Sequence, residues 1–404
     1  MKYAMFLVVL LSLTFSKVSS QQNFRFDDYF YFRNNIYLQT PNALLNGAVL
    51  KMGSRDTAAA IELVKQAASK GMFDTLYITT KSKLKFITTT PHWKQIATTI
   101  QNNRDKYADP AAMEIRTEDI DNFWRLFDRI HDKNSDELFT SEYIVKGSPG
   151  IRTFYEVRMQ SRATNLLESV RQRQKYYESI RPITLQVKNY KPAIKEAARK
   201  IKELYPDAIF PPTTFIVAHL NSFGTADGGG GQLISTEFFL NPSQLDTAGI
   251  GEWERSVLTD TSKLLGIVVH ENIHIQEKSK WDPSLLGRCT VEGLCDFITQ
   301  LVLGYNINSR IHDYGNRHEK ELWEKFSKQM HGKDVDEWLY NGMSAKDYPA
   351  DLGYYIGYKI CEAYYDKAVD KKQAVKDILE IQDFKKFLAD SGYEEKIAKM
   401  ASNP

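Results

Sequence analysis

Residues 264–275 constrain the fold most, because an almost unbroken apolar run here contains the sequence His-Glu-x-x-His, from His270 to His274. Such a run predicts a helix that is buried on nearly every side. Residues four apart lie on the same face of a helix, so both imidazoles can point at one metal ion. A surface helix with two solvated histidines is the alternative. The apolar flanks favour a zinc site, since burying these polar groups without partners costs several kcal/mol.

Acidic residues near this motif predict the rest of a zinc site. Glu271 directly follows the first histidine, so its carboxylate can reach a water at the metal and act as general base. A catalytic zinc takes a third protein ligand and keeps a fourth position open. The candidate is Glu292, 18 positions after His274, on a second predicted helix that ends near Leu303; an ordinary exposed carboxylate is the alternative. Asp296, one turn later, is expected to accept the ring N–H of a liganding histidine.

The His-Glu-x-x-His sequence followed by Glu292-x-x-x-Asp296 resembles the gluzincin metallopeptidases, the thermolysin-like clan. The resemblance implies that His270, His274 and Glu292 bind one zinc ion. It implies that Glu271 activates the water, that Asp296 supports the ligands, and that the substrate is a peptide or protein. The spacing to Glu292 is slightly short for that clan, which predicts a tight loop between the two helices.

A longer set of motifs covers most of the chain and resembles a bacterial family of predicted secreted zinc-dependent proteases, distantly similar to a gliding-motility lipoprotein. The motifs are Tyr205-Pro206-Asp207-Ala208, Asn221-Ser222-Phe223-Gly224-Thr225, Glu292-Gly293-x-x-Asp296-Phe297-Ile298 and Asp351-Leu352-Gly353-Tyr354-Tyr355-Ile356-Gly357-Tyr358. This resemblance implies a zincin fold but no established substrate. Gliding-motility lipoproteins carry a lipobox cysteine at the end of the signal peptide. This chain has none there, so the resemblance does not extend to a lipid anchor.

The N-terminal residues 1–20 predict a signal peptide, with Lys2 as the positive start, Phe6–Phe15 as the apolar core and Val18-Ser19-Ser20 as the cleavage site. The apolar run is shorter than the ~20 residues that span a bilayer, and we expect no transmembrane segment in the mature chain. We therefore expect export to the periplasm or the extracellular medium. A net charge of +2 gives no reason to expect nucleic acid as a partner; the oligomeric state stays open.

The mature chain predicts a mostly helical α+β fold. Residues 21–150 predict a helical N-terminal region that ends at the best internal break, Lys146–Gly150. Residues 151–404 predict a zincin-like (thermolysin-like) domain with a small sheet. Its expected elements are a long helix from about Thr153 to Ile180, strands at Thr214–Ala218 and Leu233–Leu240, the zinc helix from about Trp253 to Lys278, and a helix at Asp351–Tyr365 in which Gly353 and Gly357 allow close packing.

Two further site predictions rest on the gluzincin resemblance. Peptide hydrolysis needs a donor for the oxyanion, and gluzincins use a tyrosine or histidine well after the third ligand. Tyr358, Tyr354 and His318 are the candidates, although tyrosines that simply pack a helix explain the sequence equally well. Gluzincins also pair the substrate with an edge strand before the zinc helix. One of the two predicted strands, or the loop at Asn221, takes that role by resemblance.

Three cysteines are few for a secreted protein. Cys289 and Cys295 lie about 9 Å apart if they share one helix, too far to pair with each other. Either can pair with Cys361, but three buried thiols that act as small hydrophobes are the simpler interpretation. Zinc ligation by cysteine is a further alternative.

These observations predict a secreted zinc metallopeptidase. A zinc-dependent hydrolase of another amide is one alternative. A non-enzymatic envelope protein that binds a partner through a zincin scaffold is another, since fold does not determine function. The intact Glu271 favours an enzyme, because a purely structural metal site does not need a general base.

Overall fold

A computed structural model describes residues 36–80, 83–227, 231–240, 249–251, 254–255, 258–342, 345 and 348–402. The predicted signal peptide therefore lies outside the described residues. The described part is mostly helical with small sheets, which confirms the mostly helical α+β class. The chain divides into two compact units: unit 1 comprises Met1–Lys195, Ile209–Ile250 and Leu258–Thr261, and unit 2 comprises Glu196–Ala208, Gly251–Val257 and Ser262–Pro404.

Unit 1 begins with a series of short helices. They are α1 (Pro41–Gly53), α2 (Thr57–Ser69), α3 (Leu76–Thr80), α4 (Trp93–Lys106), α5 (Glu118–Phe127), α6 (Ser135–Leu138), the π-helix Phe139–Val145, α7 (Pro149–Val157), α8 (Ala163–Gln172), α9 (Gln174–Thr184) and α10 (Lys191–Leu204), which contains the division between the units. Helices α1, α2 and α4 share an apolar core that includes Leu44, Val64 and Ile100.

The predicted long helix from Thr153 to Ile180 is wrong, because the chain forms α7, α8 and part of α9 instead. Gln160 and Ser161 both have a φ of +54°, a left-handed conformation that a helix cannot contain. Pro182 lies in the last turns of α9 rather than stopping it. Residues on both sides of Lys146–Gly150 belong to unit 1, where the side chain of Ser148 accepts hydrogen bonds from the first N–H groups of α7.

The sheets of unit 1 are small. The first contains β1 (Ile115–Arg116), β2 (Thr213–Ile216), β3 (Gly224–Asp227) and β4 (Gly231–Ser235) in the order β1-β2-β4-β3. The first three strands in that order are parallel, with Phe215 opposite Ile234, and β3 runs antiparallel to β4. The second sheet pairs β5 (Phe239–Leu240) with β6 (Thr259–Asp260) in parallel.

A buried glutamate interrupts the predicted strand Leu233–Leu240. Residues Thr236–Phe238 form a 3₁₀ turn between β4 and β5. Glu237 is fully buried there, and its two carboxylate oxygens accept hydrogen bonds from the N–H groups of Ala218 at 2.9 Å and Leu220 at 3.1 Å. Both amides follow the end of β2, where the sheet no longer provides acceptors. The strand breaks because this carboxylate satisfies them.

Unit 2 consists mainly of helices, and the first one named here carries the His-Glu-x-x-His motif. They are α11 (Leu264–Gln276), α12 (Leu285–Leu303), α13 (Ser309–Arg317), α14 (Glu319–Phe326), α15 (Leu352–Lys367), α16 (Lys371–Leu379), α17 (Phe384–Ser391) and α18 (Tyr393–Ser402). Helix α11 is shorter than predicted because β6 and the 3₁₀ turn Thr261–Lys263 precede it. Helix α12 ends at Leu303, as predicted. Gly304 follows in the left-handed conformation and caps the helix.

Helices α12 and α15 cross with their backbones in contact. A Cβ atom on Gly357 would lie 1.9 Å from the carbonyl oxygen of Cys289, and one on Gly293 would lie 2.0 Å from the nitrogen of Tyr358. Only glycine permits this approach, which confirms the close packing expected of Gly357. The crossing fixes the segment of α12 that carries Glu292.

Two findings bear on the remaining expectations for the fold. Cys289, Cys295 and Cys361 are all buried free thiols, so neither possible disulfide with Cys361 forms, and zinc ligation by a cysteine stays an alternative. Within the described ranges, the chain has no helix whose length and apolar composition would carry it across a bilayer.

Candidate metal centre

Helices α11 and α12 bring His270, His274 and Glu292 together inside unit 2. The Nε2 atoms of the two histidines lie 3.4 and 3.5 Å from Oε2 of Glu292. Zinc bonds of 2.0–2.1 Å at tetrahedral angles place neighbouring ligand atoms about 3.3–3.4 Å apart. These two distances match the spacing of ligand atoms in a tetrahedral zinc site.

Asp296 holds the first histidine. Its Oδ1 lies 2.8 Å from Nδ1 of His270, and its Oδ2 accepts a hydrogen bond from Nδ2 of Asn308 at 2.6 Å. A histidine that binds metal through Nε2 carries its proton on Nδ1 and donates it to such a carboxylate. Asn308 directly precedes α13, and it orients Asp296 as Asp296 orients the histidine.

Two groups face Nδ1 of His274. The sulfur of Cys295 lies 3.2 Å away, and a carboxylate oxygen of Glu277, directly after α11, lies 3.6 Å away. Burial raises the pKa of the Cys295 thiol to about 12, so the sulfur is protonated at neutral pH.

Cys295 also forms an alternative ligand group with the two histidines, because one donor atom from each of these residues lies within 4.8 Å of the others. The sulfur contacts the Nδ1 side of His274, whereas Glu292 lies at the Nε2 side. The position of the proton on His274 therefore decides between the two ligand sets. An unprotonated Nε2 favours the set with Glu292, and an unprotonated Nδ1 favours the set with Cys295.

Tyr340 contacts the third candidate ligand. Its hydroxyl donates a hydrogen bond of 2.8 Å to Oε1 of Glu292, the carboxylate oxygen that does not face the histidines. Each of the three candidate ligands is thus held at its second polar atom: His270 by Asp296, His274 by Cys295 and Glu277, and Glu292 by Tyr340. The atoms left facing one another are Nε2, Nε2 and Oε2.

The electrostatics of the cluster suit a cation. Burial raises the pKa of Glu292, but the facing imidazoles of His270 and His274 outweigh it and hold that pKa at about 2. Burial lowers the pKa of His270, but the hydrogen bond to Asp296 and the facing carboxylate of Glu292 raise it to about 9. Protons on the imidazoles therefore balance the carboxylate, and a divalent cation can replace them.

Glu271, Tyr354 and Tyr358 are further predicted site residues, and each has different surroundings. Glu271 follows His270 on α11 and is only 7 % exposed. The ring of Tyr354 stacks on that of His270 with 6.1 Å between centroids. Tyr358 packs against Phe297 and His312.

Two further predicted residues have partners of their own. His318 lies 3.2 Å from Glu321 and stacks on Tyr314. Asn221 belongs to unit 1, and its Nδ2 donates to the carbonyl oxygen of Arg158 at 2.9 Å. The roles of Tyr358 and His318 in transition-state stabilisation, and of Asn221 in substrate binding, stay predictions.

Sequence reasoning did not find all of these contacts. Cys295 and Asp296 lie three and four residues after Glu292, so helical spacing alone places all three on one face of α12. That spacing could have indicated Cys295 as a partner of a histidine. Tyr340 and Asn308 lie outside helices, where no periodicity indicates which way a side chain points.

A family model described as gliding motility protein GldB matches residues 111–395, more than two thirds of the 404-residue chain. The matched range contains the whole cluster. Searches of curated proteins and of solved structures found no match. On the extent of the family match, the chain belongs to the gliding motility protein GldB family.

Proposed function

We propose that this member of the gliding motility protein GldB family is a zinc-dependent metallopeptidase with a gluzincin-like site on a zincin-like scaffold. The observation that carries the proposal is that Oε2 of Glu292 lies 3.4 and 3.5 Å from Nε2 of His270 and Nε2 of His274, the spacing of ligand atoms around zinc. A structural cluster of this kind needs no general base beside the first ligand, and Glu271 supplies one.

The residues of the chain take distinct roles in this proposal. His270, His274 and Glu292 hold one zinc ion, which when bound polarises the scissile carbonyl and makes a water more acidic. Glu271 accepts a proton from the attacking water and returns it to the nitrogen of the leaving amine. Asp296, fixed by Asn308, keeps the proton of His270 on Nδ1, so that Nε2 stays available as a ligand.

We further propose that the protein is exported and acts in the cell envelope or outside the cell on a peptide or protein. The sequence pattern of residues 1–20 and the description of the family as a motility protein support this location. The same description favours a second candidate function, a non-enzymatic envelope protein that uses the scaffold to bind a partner. A hydrolase of another amide has no separate observation in its favour.

Metal content and peptide cleavage of four proteins test the proposal: wild type, Glu271→Gln, His270→Ala and, as a matched control, Glu237→Gln in unit 1. We expect wild type, Glu271→Gln and the control to hold one zinc ion and His270→Ala to lose it. We expect kcat/KM of Glu271→Gln on a cleaved library peptide to fall about 10²- to 10⁴-fold, the usual contribution of a general base.

The outcomes separate the candidate functions. Cleavage by the wild type and the control, but not by Glu271→Gln, supports the peptidase. A zinc-loaded wild type that cleaves no peptide in a broad library overturns the peptidase and favours the binding protein. A wild type that takes up no zinc overturns the peptidase and any other zinc-dependent hydrolase.

A further inference from the structure

We propose that Tyr340 is a positioning residue that restricts Glu292 to binding the metal through one oxygen, and that it thereby sets the affinity and the coordination number of the site. This inference rests on the proposed zinc centre and goes beyond it by assigning a role to a residue outside the motif.

The two oxygens of Glu292 face different partners. Oε2 faces the two histidine Nε2 atoms at 3.4 and 3.5 Å, whereas Oε1 accepts the hydroxyl of Tyr340 at 2.8 Å. A carboxylate with both oxygens available can bind a metal ion through either one or both. An oxygen that already accepts an O–H hydrogen bond is a weaker donor to a metal. The Tyr340 hydroxyl therefore selects binding through Oε2 alone.

The backbone around Tyr340 is strained. Tyr340 has a φ of +59° and Asp351 a φ of +63°. A bulky side chain rarely adopts this region, and such conformations persist only where the surroundings hold them. The left-handed conformation of Tyr340 therefore indicates that its surroundings hold this residue in place.

Independent contacts hold Tyr340 in this conformation. Its N–H donates a hydrogen bond to Oδ1 of Asp351, whose own N–H donates to Oδ1 of Asn341 at 2.8 Å. The guanidinium of Arg288 on α12 lies over the tyrosine ring, 5.6 Å from its centroid. The backbone, the ring and the hydroxyl of Tyr340 are thus each fixed by a different neighbour, which is how a rigid supporting residue is built.

The test compares Tyr340→Phe with wild type by chelator competition for zinc. The variant keeps the ring and the backbone and removes only the hydroxyl. We expect the Kd for zinc to rise about 10- to 100-fold, as for other residues that orient metal ligands. Tyr176→Phe is the matched control, because its hydroxyl donates a buried hydrogen bond of 2.6 Å to the carbonyl oxygen of Glu237 in unit 1. We expect its Kd to equal that of the wild type.

A second readout distinguishes positioning from a general loss of structure. Cobalt(II) in place of zinc gives intense visible absorption when four-coordinate and much weaker absorption when five-coordinate. We expect the four-coordinate spectrum for wild type and Tyr176→Phe. Tyr340→Phe should show weaker, shifted bands, because Glu292 then binds through both oxygens. A merely structural role for Tyr340 would lower the melting temperature without changing the cobalt spectrum.

The results separate this inference from the proposed function. An unchanged zinc Kd together with an unchanged cobalt spectrum in Tyr340→Phe overturns the inference, whether or not the wild type cleaves peptides. A larger zinc Kd and an altered cobalt spectrum in Tyr340→Phe support the inference, even if the wild type cleaves no peptide and the peptidase proposal fails. A wild type that binds neither metal overturns both.

Discussion

Two fully buried glutamates, Glu237 in unit 1 and Glu292 in unit 2, have opposite surroundings. Glu237 accepts hydrogen bonds from two backbone amides, and burial raises its pKa to about 7. Burial acts on Glu292 in the same direction, but two imidazoles outweigh it and hold its pKa at about 2. Burial alone therefore does not distinguish a structural carboxylate from a functional one; the chemical type of the partners does.

The partners also differ in what can replace them. Backbone amides are fixed to the fold, so Glu237 can only complete the hydrogen bonding beyond β2. The imidazoles of His270 and His274 are side chains, and their Nε2 atoms can bind a cation in place of a proton. We therefore propose that Glu292 belongs to a metal-binding site and Glu237 to the scaffold, and the following experiments test this difference.

The largest expected effect is on zinc affinity. Glu292→Gln removes a charged ligand and should weaken zinc binding more than about 100-fold, beyond the usual effect of a supporting residue. Glu237→Gln makes the same chemical change at an equally buried position and should leave the affinity unchanged. Isothermal titration with zinc measures both. Equal losses in the two variants would remove the distinction between the glutamates.

Glu237 should contribute to the pH dependence of the unfolding free energy. A folded-state pKa raised from 4.5 to about 7 means that the folded state binds the proton more tightly than the unfolded state. The associated stability is fully present below pH 4.5 and is lost as the pH rises to about 7, by about 3 kcal/mol. The Glu237→Gln variant lacks this titrating carboxyl group, so its stability should not show this contribution.

Urea unfolding across that pH range measures this effect. The difference in unfolding free energy, wild type minus Glu237→Gln, should fall as the pH rises. The difference isolates Glu237 from other titrating groups, such as Asp351, whose pKa burial raises to about 6. A difference that is constant with pH would show that Glu237 is ionised throughout.

The packing behind Glu292 should matter to the site. Gly357→Ala places a methyl group against the carbonyl oxygen of Cys289 and forces α12 and α15 apart, at a cost of about 1–3 kcal/mol. Thermal unfolding should show a lower melting temperature. Gly53→Ala in unit 1 has open space around the new methyl group and should not lower it. A stable Gly357→Ala variant would mean that α12 is not fixed by this crossing.

The smallest effect should come from Asn308, which acts on the metal only through Asp296 and His270. Asn308→Ala should weaken zinc binding about 10-fold, at the low end of the range for outer residues. Asn306→Ala is the comparison that perturbs the same loop but keeps the side chain of Asn308, because the Asn306 side chain donates to Gln300 and accepts the N–H of Asn308. Zinc competition on both variants checks this. If Asn306→Ala loses as much affinity, the loop rather than the Asp296 contact is responsible.

Much of this arrangement follows from helical periodicity, which is why the sequence predicts the meeting of His270, His274, Glu292 and Asp296. Spacings of four residues on α11 and α12 fix which side chains share a face, whatever the rest of the fold does. Gly357 was predictable for a similar reason, since a glycine inside an apolar helix indicates close packing.

The parts that sequence reasoning missed depend on contacts between distant residues. Glu237 lies within an apolar run that predicts a continuous strand, and only the amides beyond β2 explain why the strand breaks there. Tyr340 reaches Glu292 from a strained loop 48 residues away. Gln160 and Ser161 interrupt a predicted helix because both adopt left-handed backbone angles. Their residue types do not predict these angles.

The central claim is that His270, His274 and Glu292 form a zinc centre with no sulfur ligand. X-ray absorption at the zinc edge of the zinc-loaded wild type tests it directly. We predict a first shell of nitrogen and oxygen atoms at about 2.0–2.1 Å. A sulfur scatterer at about 2.3 Å would identify Cys295 as the ligand in place of Glu292, and a protein that cannot be loaded with zinc would contradict the account altogether.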